Sequence, residues 1–174
     1  IRNYELAARM QLAADGVFDL SRESALTHKA YGLENPVTQS YGRRCLMARR
    51  LVESGVRFVQ VFPAPGNPWD SHKDSRKEIG DIAAKTDLPT AALIQDLKQR
   101  GLLDDTLVVW MSEHGRTPKF NKNAGRDHWS RVYSIAMAGA GVGRGNIIGE
   151  SDRLAGDVKS HPVSPKDILA TILH

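Results

Sequence analysis

The stretch Asp105-Thr106-Leu107-Val108-Val109-Trp110-Met111-Ser112-Glu113-His114-Gly115-Arg116-Thr117-Pro118 decides how this chain of 174 residues is read. Its first half is apolar and rich in β-branched residues, which predicts a buried strand over 106–111. Glu113 and His114 then fall where that strand gives way to a loop, the place where α/β proteins gather their chemistry. A second stretch, Gly125-Arg126-Asp127-His128-Trp129, follows closely and sets another histidine beside a carboxylate.

Upstream, Asp87 reads as the N-cap of a helix from Leu88 to Arg100, with Pro89 in its first turn and Gly101 closing it. Before that, Tyr41, Cys45, Leu46, Ala48, Leu51 and Val52 recur at helical spacing between Thr38 and Ser54, and Gly55 suits the residue after the helix. Val56 to Phe62 alternates as a strand does and ends in Pro63-Ala64-Pro65-Gly66-Asn67-Pro68, a loop by composition. Trp69-Asp70-Ser71-His72 comes directly after it. Asn3 to Ala14 carries a helical pattern, and residues 15–37 read as a short helix and loops.

Downstream, Tyr133 to Ala138 predicts a strand running into the glycine-rich run 139–145. That run lacks both the P-loop ending and the dinucleotide spacing, so it reads as a flexible turn bringing backbone close to something. A further strand is expected over Asn146 to Gly149, and Ser164-Pro165-Lys166-Asp167 starts a last helix. Helices alternating with short apolar strands predict a single α/β domain over 1–174, with a largely parallel sheet flanked by helices.

Composition narrows the function classes. Hydrophobic residues make up 41% and charged residues 25%, ordinary values for a soluble globular protein. No apolar run approaches the roughly 20 residues that cross a bilayer. The net charge of +4 is dispersed except at Arg43-Arg44 and Arg49-Arg50, which read as a solvated helix face, and aromatics are only 6%. A nucleic-acid surface wants a continuous basic face with interleaved aromatics, so no nucleic-acid partner is expected. The lone Cys45 allows no internal disulfide and reads as a buried structural thiol.

Six histidines are present, and His72, His114 and His128 each lie within two residues of a carboxylate. Residues two apart in an extended segment point to one side, so Asp70 and His72 can reach a common ion. Glu113 and His114 sit at the strand end, where they converge on that ion or serve another, and His128 closes the set from its loop. Carboxylate oxygen with imidazole nitrogen suits zinc, iron or manganese better than calcium. The candidate metal ligands are therefore Asp70, His72, Glu113, His114 and His128, and the expected cofactor is a divalent ion, zinc first. Arg116 and Arg126 stand beside them as candidate substrate-binding residues, since a guanidinium fork matches phosphate or sulfate oxygens. Their alternative role is an ion pair with Glu113 or Asp127. No HExxH, CxxC, GxSxG or kinase-type set appears, so no nucleophile is identified.

Several blocks together resemble the bacterial DUF1501 family, placed with the alkaline phosphatase and sulfatase superfamily. They are Tyr4-Glu5-Leu6-Ala7, the block from Cys45 to Val59, Trp69-Asp70-Ser71-His72, Gly101 to Thr106, Glu113-His114-Gly115-Arg116-Thr117-Pro118, Gly125-Arg126-Asp127-His128-Trp129 and Asp167 to Leu173. The resemblance implies an alkaline-phosphatase-like fold, incomplete here at its amino-terminal side, and a two-metal hydrolase of phosphate or sulfate esters. It implies one ion at Asp70, His72 and His128, a second at Glu113 and His114, and a nucleophile upstream of Ile1. It also implies export to the periplasm or cell envelope. The alternative is a non-catalytic envelope protein that keeps the fold for binding. If neighbouring strands are missing, an open sheet edge favours a homo-oligomer.

Overall fold

The computed structural model describes residues 4–5 and 16–173. Of the helix expected over Asn3 to Ala14 only Tyr4 and Glu5 are described, both helical, and His174 lies outside the described residues. The architecture is a mixture of helices and short antiparallel strands. Its helices are α1 (Ala25–Ala30), α2 (Gln39–Glu53), α3 (Ser75–Gln99) and α4 (Pro165–Leu173). Its strands are β1 (Val108–Trp110), β2 (Gly115–Arg116), β3 (His128–Trp129), β4 (Ala136–Ala138), β5 (Glu150–Ser151) and β6 (Val158–Ser160). The chain divides into two compact units, one of Ile1–Pro68 with Asp81–Leu102 and one of Trp69–Gly80 with Leu103–His174.

In the first unit α2 appears where its periodicity puts it, capped by Thr38 and Ser54, with Gly55 at a φ of +89° that glycine takes without steric cost. Tyr41, Cys45 and Leu46 project from it into a core completed by Leu20, Tyr31, Leu33 and Ala92. Gly42 belongs to the same face: a Cβ there would lie 2.1 Å from the Tyr31 carbonyl oxygen, so only a bare backbone fits. The arginine pairs are not one solvated face. Arg43 is exposed, but Arg49 is 1% exposed and sits between carboxylates of Glu23 at 2.6 Å, Glu53 at 2.5 Å and Asp96 at 3.0 Å. Tyr31 Oη donates to Asp96 at 2.9 Å, and Arg50 bonds Glu23 and the Gly16 and Val17 carbonyls. Glu53 is an i, i+4 neighbour on the same helix, but Glu23 and Asp96, distant in sequence, draw Arg49 inward, and the local pattern carries no trace of those two.

Helix α3 departs from expectation at its start. It begins at Ser75, twelve residues before the proposed cap, and runs through Pro89. Proline in a helix interior removes one hydrogen bond and costs about 3 kcal/mol, which is why it reads as a start signal. Here the apolar stripe prevails: Ile82, Thr86, Pro89, Ala92 and Leu97 are buried at spacings of three to five residues. Thr86 and Thr90 also turn their hydroxyls back onto the carbonyls of Ile82 and Thr86, at 3.0 and 2.8 Å.

The largely parallel sheet is not what the described residues form. Their strands pair as three two-stranded antiparallel ladders, β1 with β4, β2 with β3 and β5 with β6. A parallel pair needs a crossover connection, usually helical, and residues 111–135 between β1 and β4 contain no helix. β1 is half-buried rather than buried, with Trp110 exposed. Val56 to Phe62 and Asn146 to Gly149 alternate or run apolar as strands do, yet neither joins a ladder among the described residues. Pairing, not propensity, makes a strand. The glycine run does approach backbone: Gly139, at a φ of +89°, has no room for a Cβ, which would lie 2.1 Å from the Thr106 carbonyl oxygen. Helix α4 starts on the Ser164 and Asp167 pair, whose backbone and side chains bond reciprocally. No helix among the described residues is long and apolar enough to cross a membrane.

Candidate metal centre

Two loops of the second unit build the site. Ser71 is buried, donates to Ser75 Oγ at 2.9 Å, and accepts from Arg126 N at 2.9 Å through its carbonyl. With Ser71 turned inward, Asp70 and His72 emerge on the opposite side, as the two-residue period requires. The facing loop follows the same line: Asp74 N and Ser75 N donate to the carbonyls of Asn123 and Ala124 at 2.9 and 3.0 Å. Gly125 makes this approach possible, because a Cβ there would lie 1.9 Å from the His72 carbonyl carbon. Beyond it, β3 pairs Arg116 with His128 across the β2 ladder.

The result is a convergence on one oxygen. Asp70 Oδ1 lies 2.9 Å from His72 Nε2 and 2.8 Å from His128 Nε2, and the two imidazole nitrogens are 3.2 Å apart. Arg116 Nη1 donates to the same oxygen. A tetrahedral zinc with bonds of about 2.0–2.1 Å spaces its ligand atoms roughly 3.3 Å apart, so Asp70, His72 and His128 match the donor set and spacing of such an ion. All three are accessible or half-buried, which leaves the outer face open to solvent.

Charge is already arranged for this. The Arg116 and His128 hydrogen bonds hold the Asp70 carboxyl well below its ordinary range, at about 2, so it is an anion at any neutral pH. His72 is raised, chiefly by its bond to Asp127, and Asp127 is lowered in turn by His72 and then Asn121.

Glu113 and His114 stand beside this cluster and not in it. The His114 ring packs edge-on against His128 with centroids 4.4 Å apart, and its Nδ1 meets the Gly115 carbonyl at 3.1 Å. Its Nε2 lies 3.7 Å from Glu113 Oε1, and Glu113 is exposed and takes a bond from Ser112 Oγ at 3.1 Å. The two arginines part company. Arg116 faces the cluster, whereas Arg126 donates to the Thr117 and Pro118 carbonyls at 2.6 and 2.8 Å and lies over the Phe120 ring, bracing the loop.

Two residues escaped the sequence reading. From sequence, Asp127 is an ion-pair partner for an arginine and the carboxylate beside His128, and Asn121 carries no assigned role. Asp127 Oδ1 meets His72 Nδ1 at 2.8 Å, and Asn121 Nδ2 donates both to that oxygen and to the His72 carbonyl at 3.0 Å. The available signal was the adjacency of Asp127 to His128, and it names no partner 55 residues away.

Two imidazoles and a carboxylate around a common point define a class: a protein with a His/Asp cluster that could hold a metal ion. The chain belongs to the DUF1501 family, described as a protein of unknown function, whose model matches residues 1–174. No curated protein and no solved structure matches the chain.

Proposed function

We propose that this chain carries a metal-holding part of an alkaline-phosphatase-like hydrolase acting on phosphate or sulfate esters. The observation that carries the reading is the meeting of Asp70 Oδ1, His72 Nε2 and His128 Nε2 within 3.2 Å of one another. Bound there, a divalent ion supplies Lewis-acid stabilisation of charge on an ester group. The surrounding residues do the rest. Asp70 brings a permanent negative charge, His72 and His128 bring imidazole nitrogens, and the open face admits a ligand from solvent.

Arg116 fits the anion. A guanidinium has five N–H donors in a rigid fork, one of which is committed to Asp70, and the fork geometry suits paired oxygens of phosphate or sulfate. Arg126 serves by holding the loop that carries Asp127 and His128. Glu113 and His114 form the neighbouring acid and imidazole pair through which a second ion enters the proposal. Export to the cell envelope is part of the same proposal.

The test takes full-length protein, strips it with a chelator, and measures zinc, manganese and iron uptake with hydrolysis of aryl phosphates and aryl sulfates. The expected result is at least one ion per chain, lost in His72→Ala and His128→Ala, with metal-dependent turnover of one ester class. Metal uptake without turnover of either class supports the non-catalytic alternative. No uptake and no turnover refutes the proposal.

A further inference from the structure

We propose that Asp127, held by Asn121, is a positioning residue that fixes the ring plane of His72 so that Nε2 faces the point shared with Asp70 and His128. The inference rests on the metal-site reading above and adds residues that no part of that reading assigns. A carboxylate can only accept a hydrogen bond, so the 2.8 Å contact between Asp127 Oδ1 and His72 Nδ1 places the proton on Nδ1. The opposite ring nitrogen, Nε2, is thereby directed to the point 2.9 Å from Asp70 Oδ1 and 3.2 Å from His128 Nε2, where an ion would take its lone pair.

Asn121 makes the arrangement rigid. Its Oδ1 accepts from Asn123 N at 2.9 Å and Gly125 N at 3.0 Å, and backbone amides can only donate. That fixes the amide orientation and sends Nδ2 to the Asp127 carboxylate and the His72 carbonyl, each at 3.0 Å. The backbone of Asp127 is pinned on both sides, its N–H to Thr117 Oγ1 at 3.1 Å and its carbonyl accepting from Thr117 N at 2.8 Å. One carboxylate oxygen is thus located relative to His72 by two elements, the Asn121 turn and the β2–β3 ladder. Asp127 is half-exposed, so its bond to His72 contributes little to folding stability; its effect lies in orientation.

Two readouts test this, one of them independent of metal. In metal-free protein, long-range nitrogen–proton NMR reports which His72 nitrogen carries the proton. The expected result is a hydrogen-bonded Nδ1–H in the wild type that is lost in Asp127→Ala. Titration with cobalt(II), read by its visible absorption, and zinc competition against a chromophoric chelator then measure affinity. Loss of an outer-shell partner costs metal affinity about 10–100-fold, so Asp127→Ala is expected to weaken binding by that factor and alter the cobalt spectrum. Asp127→Asn, which keeps an acceptor, is expected to recover part of the loss. Wild-type binding with Asp127→Ala unchanged in affinity and in its Nδ1–H signal overturns this inference and leaves the metal site standing. Failure of the wild type to bind either ion overturns both.

Discussion

Replacing Gly125 by alanine is the sharpest single perturbation of the site. The new Cβ would lie 1.9 Å from the carbonyl carbon of His72, 2.0 Å from its oxygen and 2.3 Å from Lys73 N. All three are backbone atoms, so no rotamer change relieves the overlap. Reaching ordinary contact at 3.4 Å requires the two loops to part by about 1.5 Å. The hydrogen bond from Arg126 N to the Ser71 carbonyl, now 2.9 Å, does not survive that separation. Overpacking of this kind costs about 1–3 kcal/mol of stability. The larger effect falls on metal affinity, because a ligand set needs placement within roughly 0.5 Å and His72 moves with its backbone. We expect at least about 100-fold weaker zinc binding, equivalent to about 2.8 kcal/mol, by competition against a chromophoric chelator. Gly80→Ala is the control: it lies in α3 with nothing within 4 Å of a Cβ, and should gain about 0.5–1 kcal/mol from helix propensity without changing affinity. Wild-type zinc affinity in Gly125→Ala would refute the idea that this close approach assembles the site.

Arg49→Met should destabilise the first unit by about 1.5–3 kcal/mol in urea titration, because it removes the guanidinium shared by Glu23 and Asp96 while Arg50 and Arg100 remain as their partners; a loss below about 0.5 kcal/mol would contradict the buried-network reading. Burial pushes the Glu23 carboxyl up, but Arg49 and Arg50 more than offset this and leave it below its ordinary 4.5. A lowered carboxylate contributes stability that is present above its unfolded value and fades as pH falls through the folded one. Acid titration of stability should therefore be steeper below pH 4.5 in the wild type than in Arg49→Met, and parallel curves would count against that account. Cys45 is 0% exposed and burial pushes its thiol up to about 12, so iodoacetamide should label it only in unfolding denaturant; rapid native labelling, read by mass spectrometry, would show the core to be open.

The second helix and the last one were readable because their signals are local: a stripe every three or four residues, Gly55 after one, and Ser164 with Pro165 before the other. Pro89 misled for the same reason, since its local cost was visible and the buried stripe that outweighs it was not. Val56 to Phe62 shows the limit from the other side: alternation announces a strand, but a strand exists only beside another.

Residue chemistry put Asp70, His72, Glu113, His114 and His128 in one candidate set, because carboxylate and imidazole beside loops are the donors a divalent ion takes, and a spacing of two sets the first pair on one side; the family resemblance grouped Asp70 and His72 with His128. Whether they meet is a matter of three dimensions, where Gly125 lets two loops lie against each other and brings residues 56 positions apart within 3.2 Å. The same packing separates Arg116 from Arg126 and recruits Asp127 and Asn121. Donor type is a property of each residue, whereas the direction and distance of a lone pair belong to the packed backbone that carries it.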